Sequence, residues 1–544
     1  MRQFRVLPLV MLTASLVACG GGGGGAGQGG SSNTGPQGSI HNGGGSTPTL
    51  GTPCKTAGEQ TGIPNGTAIC KADASGALHW ESYNPNNPNG GGSNAGGSNP
   101  SGSAPQSNQL RLGDACQTDG TFGYGDGMIT ICDKGKARYA VPTDMPSAPA
   151  GGYTKRPDWN PTLAEIFSPK VDECPNGKVT FGAPFLPLEH LTRTVPAGAM
   201  IAGHVTPIDH MYVGIDTLDR EPSTLTDADY LPITAPADGW LIDVGSLGSP
   251  TSHRVVIVHG CGIVSVYMVI NKLTGVLASV ADSIDHGGRL EAPVPIKMGE
   301  EFGRQRDNSL DFNTFDARMW LPGFVNPLSY ADGEAWKPYF SDPSKLFTPD
   351  IWSKIEATMQ RTVAPRFGKI DHDLIGTASG SWFIDGTIGY DGLPITEVAA
   401  ATSQIQSGAA AGKSIYSWSH LSMSPEPVDP SAWIFSTGSW SNPNGDPQQW
   451  MLVPGSAPAP DQLKAADGAV VYRLVQPTTI QPAGFSIRPG SKSPLGIGYT
   501  VKPGAKTIGW AVVQVIDDTH LAVETVVGDT QPTGFTAAKQ TYHR

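Results

Sequence analysis

The apolar positions of this 544-residue chain fall mostly in short runs rich in Val and Ile, separated by turn residues. Such runs predict strands joined by tight turns. Val255-Val256-Ile257-Val258 and Val470-Val471-Tyr472-Arg473-Leu474-Val475 are examples. Ile508-Gly509-Trp510-Ala511-Val512-Val513-Gln514-Val515-Ile516 runs into Asp517-Asp518-Thr519, and His520-Leu521-Ala522-Val523-Glu524-Thr525-Val526 returns, which predicts a hairpin. Helical periodicity is confined to two places. Asn160-Pro161 opens a short helix through Phe167, with Asn160 as its cap. Thr348-Pro349-Asp350 opens a longer one to about Arg361, with Ile351, Ile355 and Met359 recurring every four positions as one buried stripe. Pro365 ends it and marks a boundary. The fold class is therefore mainly β and multidomain, with one β domain over residues 151–364 and a C-terminal β-barrel or sandwich over residues 365–544.

The first 150 residues follow a different pattern. Arg2 and Arg5 precede a short apolar run, too short to span a membrane, that ends in Leu16-Val17-Ala18-Cys19. This tetrapeptide resembles a bacterial lipobox, in which the Cys becomes the lipidated N-terminus; the alternative is a secretory signal with a chance Cys. Residues 1–19 are thus read as a lipoprotein signal with Cys19 as the lipid attachment site. Gly20 rather than Asp follows, and by resemblance to enterobacterial sorting rules this points to the outer membrane. Residues 20–49 and 84–109 are dominated by Gly, Ser, Asn and Pro, and no core forms from such composition. The first of these tethers reaches about 30 Å as a flexible coil.

Each tether precedes the same small unit. Leu50-Gly51-Thr52-Pro53-Cys54 is followed sixteen residues on by Cys70, and Leu112-Gly113-Asp114-Ala115-Cys116 is followed sixteen residues on by Cys132. The repeat predicts two disulfide-pinned hairpin modules, at 50–83 and 110–143, because about 35 residues bury too little apolar surface without a staple. A four-cysteine zinc site across the copies is the alternative; zinc sites favour close Cys pairs, and an exported chain favours disulfides. Of seven Cys, Cys174 and Cys261 then remain to pair with each other. Only 15% of residues are charged and the net charge is -12, which excludes the basic stripe that a nucleic-acid partner requires.

Residues 203–312 carry the motifs that bear on chemistry. Tyr212-Val213-Gly214-Ile215-Asp216 leads into Ala235-Pro236-Ala237-Asp238-Gly239, then Val256-Ile257-Val258-His259-Gly260, Ser265-Val266-Tyr267, Lys297-Met298-Gly299-Glu300-Glu301-Phe302-Gly303 and Ser309-Leu310-Asp311-Phe312. In order and spacing this series resembles the lysostaphin/LytM-type zinc peptidases, which cut peptide cross-bridges in peptidoglycan. The resemblance implies an antiparallel β domain with a site of two His and one Asp around zinc, plus a catalytic His. Here Tyr212 stands at the first ligand position, Val269 at the catalytic one, and Ser309 and Asp311 at the last His pair; Asp216 survives. His259 remains, but the resemblance gives that position no ligand role.

Two readings of the residues stay open. The first is a non-catalytic frame that expects no cofactor. The second is a shifted zinc site of His204, His210 and Asp216, drawn from the run Gly203-His204-Val205-Thr206-Pro207-Ile208-Asp209-His210. His253 and His286 are remoter candidates, and Asp371-His372-Asp373 reads as a solvated loop. Gly380-Ser381-Trp382 resembles the Gly-x-Trp opening of lipocalin-type barrels, and the six Trp beyond Pro365 read as core. The chain as a whole is expected to be an outer-membrane, lipid-anchored envelope protein that binds or scaffolds, with peptidoglycan or a murein hydrolase as partner. A divergent zinc metallopeptidase and a surface adhesin or glycan binder are the alternatives.

Overall fold

The computed structural model describes residues 52–55, 60–63, 66–72, 77–83, 109–125, 128–249, 251–331, 333–396, 413, 415–486 and 495–544. Cys19, the 20–49 tether and the 84–108 stretch lie outside the described residues. The chain is mainly β and divides into two units, Gly25–Gln106 and a larger one that contains Ser107–Arg544.

In the smaller unit, Gln60–Ile63, Gly66–Ala72 and Leu78–Tyr83 form a three-stranded antiparallel sheet, stapled by a Cys54–Cys70 disulfide. The larger unit opens on the same plan. Phe122–Gly125, Met128–Asp133 and Lys136–Tyr139 pair in order, and Cys116 is bonded to Cys132. Lys134 and Gly135 make a two-residue turn at φ 53° and 79°, the paired positive values that let a hairpin follow strand twist. Ile129 and Ile131 of this module bury against Leu328 and Ala331 of the body. The disulfide and that contact together supply what so short a sheet lacks in core.

The body is built on a seven-stranded antiparallel sheet. Its strands are β1 (Leu191–Val195), β2 (Met211–Ile215), β3 (Gly239–Ser249), β4 (Ser252–Gly260), β5 (Ile263–Ile270), β6 (Val294–Ile296) and β7 (Leu310–Asp316). Their spatial order is β6-β3-β4-β5-β7-β2-β1. Side chains alternate between faces along each strand. The register Val255–Tyr267–Phe312 puts one set into an aromatic core with Phe185, Phe302 and Phe347. The register Val256–Val266–Asn313, with Met268 opposite Asp311, puts the other set on the second face. The β4–β5 turn is Cys261-Gly262, at φ 49° and 82°, and Cys261 is disulfide-bonded to Cys174.

The two expected helices depart from expectation in their ends, and two further short ones, Ala281–Asp285 and Leu328–Ala331, carry no periodicity that announces them. The first spans Leu163–Ile166 and is capped by Thr162, whose hydroxyl accepts from the Glu165 amide while the Glu165 carboxylate takes the Thr162 amide. This capping box supplies two donors' partners where Asn160 would supply one, so Asn160 lies outside the helix. The second spans Pro349–Glu356 and stops short of Arg361. Thr194 in β1 donates its amide to the Thr358 carbonyl at 2.7 Å and accepts from the Gln360 amide at 2.9 Å. The chain leaves the helix to make that bridge.

The last eight strands close a barrel in chain order. They are β8 (Gly380–Ile384), β9 (His420–Pro425), β10 (Trp433–Thr437), β11 (Gln448–Leu452), β12 (Val470–Ile480), β13 (Thr500–Val515), β14 (His520–Val527) and β15 (Gln540–His543). β15 pairs with both β14 and β8, so no edge is left open, which resolves barrel against sandwich. Trp382, Met423, Phe435, Tyr472, Val513 and Tyr542 pack its interior. Trp418, Trp440 and Trp510 are also buried, while Trp433 and Trp450 are half-buried, so the core reading holds in full for four of the six. The barrel and the sheet share apolar packing: Phe383 of β8 and Tyr390 belong to the same buried cluster as Tyr330 and the sheet core.

Candidate functional site

The second face of the sheet, around β4, β5 and β7, forms the floor of a cleft. Val256, Val266, Met268, Asn313 and Phe315 line it in register, and Asp311 lies on the same face of β7, two residues from Asn313. The 204–210 segment, Phe167 and the 334–337 turn cover it. The space enclosed is about 30 Å³, room for one or two water-sized groups.

His210 stands in this cleft between two carboxylates. Its Nδ1 lies 3.1 Å from Asp209 Oδ1, and its Nε2 lies 3.5 Å from Asp311 Oδ2. Asp209 also accepts from Trp336 Nε1 at 2.8 Å. Lys337, almost wholly buried, pairs with Glu334 at 2.8 Å and donates to the Pro207 carbonyl at 3.1 Å. Burial opposes the imidazolium of His210, yet the Asp209 hydrogen bond and the fields of Asp311, Asp209 and Glu334 outweigh it and hold His210 above its ordinary range. Burial likewise favours neutral Asp209, but His210, Lys337 and the Trp336 N–H keep it ionised below the usual carboxylate range. Asp311 goes the other way. Burial, reinforced by Asp209 and only partly opposed by His210, pushes its carboxyl up to about 7. Its Oδ1 and the Oδ1 of Asn313 are buried without a hydrogen-bond partner among the described residues.

His204 lies beside this group, its ring 5.8 Å from that of His210 and its Nδ1 3.0 Å from the Tyr416 hydroxyl of the barrel. Burial, with the charges of His210 and Lys337, pushes its pKa down to about 3. Asp216 is elsewhere. It follows β2 at the end away from His210 and pairs with His190 Nδ1 at 2.8 Å. The five residues of β2 lie between His210 and Asp216, six steps of extended chain or about 20 Å at about 3.3 Å per step. The shifted set of His204, His210 and Asp216 is therefore not brought together. The two nitrogens of His210 also face separate carboxylates, so Asp209, His210 and Asp311 aim at one another rather than at one shared point. Among the described residues, no three His, Cys, Asp or Glu side chains are grouped to hold a metal ion.

The other sequence candidates have structural partners. Tyr212 is the cross-strand neighbour of Asp311 and sets its ring edge to face with His210, centroids 5.2 Å apart. Val269 is half-buried at a bulge where Met268 and Val269 together oppose Arg254, and it sits at φ 63°. The Ser309 carbonyl accepts from Gln305 Nε2 at 3.1 Å. His259 Nε2 lies 2.8 Å from Ser265 Oγ and its Nδ1 3.0 Å from the Asp238 carbonyl; burial takes its pKa down to about 4. His253 bridges Asp285 and the Ile270 carbonyl, and His286 is exposed beside Asp282. Asp371-His372-Asp373 is not a solvated loop. Asp371 and Asp373 accept the Gly323 and Val325 amides, and Asp373 also accepts from Ser381, so the segment joins the body to β8.

Sequence reading missed Asn313, Glu334, Trp336, Lys337 and Tyr416 as members of the site. Asn313 was within reach of it, since two residues along a strand from Asp311 means the same face. The rest come from distant segments with no shared motif. A scan against protein-family models found none that matches the chain, and a search of curated proteins found no match either.

Proposed function

We propose that this chain is a non-catalytic cell-envelope lipoprotein that binds its partner through the cleft around His210 and Asp311. The observation that carries the reading is the arrangement of the would-be donors. His210 stands between two carboxylates, hydrogen-bonded to Asp209 and 3.5 Å from Asp311, and Asp216 is held by His190 at the far end of β2. That geometry suits a polar binding cleft better than a three-donor centre with an open position for water. Tyr212, Val269 and Ser309 stand where the resemblance to lysostaphin/LytM-type peptidases would put His, which fits a frame kept for recognition. The partner class is then peptidoglycan, or an envelope protein that acts on it. Three disulfides support an exported chain, and the Leu16-Val17-Ala18-Cys19 sequence supports a lipid anchor at Cys19 in the outer membrane.

The test is to incubate the purified chain with isolated peptidoglycan sacculi. Co-sedimentation without release of soluble fragments is expected, and His210→Ala should weaken it. Stoichiometric zinc together with fragment release would sink the reading. Mass spectrometry of the membrane-extracted protein should show a lipid adduct at Cys19 that is absent from Cys19→Ala.

A further inference from the structure

The charges around the cleft pair off with one left over. Asp209 faces His210, Glu334 faces Lys337, and Arg254 at the rim is bonded to Asp243. Asp311 remains, 3% exposed, with the already engaged His210 as its nearest cation at 3.5 Å. Beside it Asn313, 2% exposed, presents a second acceptor. Neither Asp311 Oδ1 nor Asn313 Oδ1 has a hydrogen-bond partner among the described residues, although both are buried. A buried acceptor without a donor costs about 1–3 kcal/mol. His210 Nε2 is likewise buried without a hydrogen-bond partner among the described residues, 3.5 Å from Asp311 Oδ2. Two acceptors two residues apart on one face of β7 against that single donor favour a guest richer in donors than in acceptors.

We propose that the cleft binds a primary ammonium group, carried by a ligand whose stem lies against Phe167 and Trp336. The proposal rests on the reading of the cleft as a binding site and names its ligand class. An ammonium offers three N–H donors, no acceptor and one positive charge, which matches two free acceptors and one unmatched carboxylate. Phe167 and Trp336 pack 6.0 Å apart at the mouth and give a cation an aromatic wall. The space of about 30 Å³ is of the size that a compact ammonium head group fills. A carboxylate guest would meet Asp209, Asp311 and Glu334, with Lys337 and Arg254 already paired and His210 hydrogen-bonded to Asp209.

The probe is n-butylammonium, titrated into the full chain and followed by saturation-transfer NMR. Saturable binding is expected for n-butylammonium, with none for n-butanol or tetramethylammonium at the same concentrations. Asp311→Asn should weaken it at least fivefold, with circular dichroism confirming the fold. If that variant does not fold, Asn313→Ala carries the same test. Equal binding of n-butanol, unchanged affinity in folded Asp311→Asn, or displacement of the amine by stoichiometric zinc would each overturn the proposal. Sacculi that still sediment with the chain while n-butylammonium fails to bind would reject the ammonium assignment and leave the wider reading standing. Sacculi that fail to bind would reject the wider reading whatever the amine does.

Discussion

His420 is held neutral by its surroundings. Its Nε2 faces the Tyr390 carbonyl at 2.7 Å, and its ring packs edge-on against Phe383. Burial, with the charge of Lys337 added and the Tyr390 carbonyl only partly opposing, pushes its pKa down to about 3. In the unfolded chain a His titrates near 6.5. Between those values the unfolded state binds a proton that the folded state refuses, so this residue lowers stability as pH falls below about 6.5. His420→Gln keeps an N–H for the Tyr390 carbonyl and removes the titration. Relative to wild type, its unfolding free energy should shift in the variant's favour by about 1.4 kcal/mol per pH unit from pH 6 down to pH 4. Urea melts at pH 7.5, 6 and 5 measure this, and a difference that stays flat would contradict it. Val269 offers a second residue-scale test. A β-branched residue at φ 63° is strained by about 1–2 kcal/mol. Val269→Asn, which tolerates that backbone, should raise stability by about 1 kcal/mol in the same melts. The pattern of strands puts Asp311 and Asn313 on one face, although only Asp311 was singled out from the sequence. It gave no access to Tyr416, 212 residues from His204, or to Lys337, 130 residues from Pro207, because only the packed fold brings them near.

At the scale of elements, the barrel is held shut beside its first strand by one cation. Arg544 lies 4.1 Å from the ring centre of Trp382 and donates to the Ser379, Thr377, Leu374 and Asp518 carbonyls. The planar guanidinium serves several acceptors at once, and its face covers the indole. Arg544→Ala should cost about 3 kcal/mol by leaving buried carbonyls without donors and uncovering Trp382. Arg544→Lys should recover less than half of that, because an ammonium has no fork and no face to stack. Thermal melts of the three proteins decide it; full rescue by Lys would show that charge alone matters. Three barrel strands, β12, β13 and β14, were readable from Val-rich runs and the Asp517-Asp518-Thr519 turn, and Gly380-Ser381-Trp382 falls at the first barrel strand; β9, β10, β11 and β15 were not read. The helix ends were misread. The Thr162-Leu163-Ala164-Glu165 capping box that sets the first start is a sequence signal that was passed over for Asn160-Pro161, whereas the bridge to Thr194 that ends the second helix depends on a distant strand.

At the scale of the whole molecule, the sheet and the barrel are coupled through one seam. Tyr330 meets Phe383 and Tyr390 at centroid distances of 5.5 and 6.0 Å, and Tyr416 meets His204. Arg361 donates to the Pro427 carbonyl, and Gln360 exchanges hydrogen bonds with the 495–498 segment. A seam with apolar packing and buried polar partners on both sides gives neither side a cheap way to open alone. Calorimetry of the full chain should therefore show the sheet and the barrel melting in one transition, with matching calorimetric and van't Hoff enthalpies for that peak. Tyr390→Ala supplies the decisive variant. Removing a ring that is 5% exposed at the centre of the seam should cost about 3–4 kcal/mol. If the halves are coupled as the packing indicates, the loss lowers the whole transition without dividing it, because what remains of the seam still links two cores that unfold together. A variant peak that splits into two would show that each half keeps its own stability.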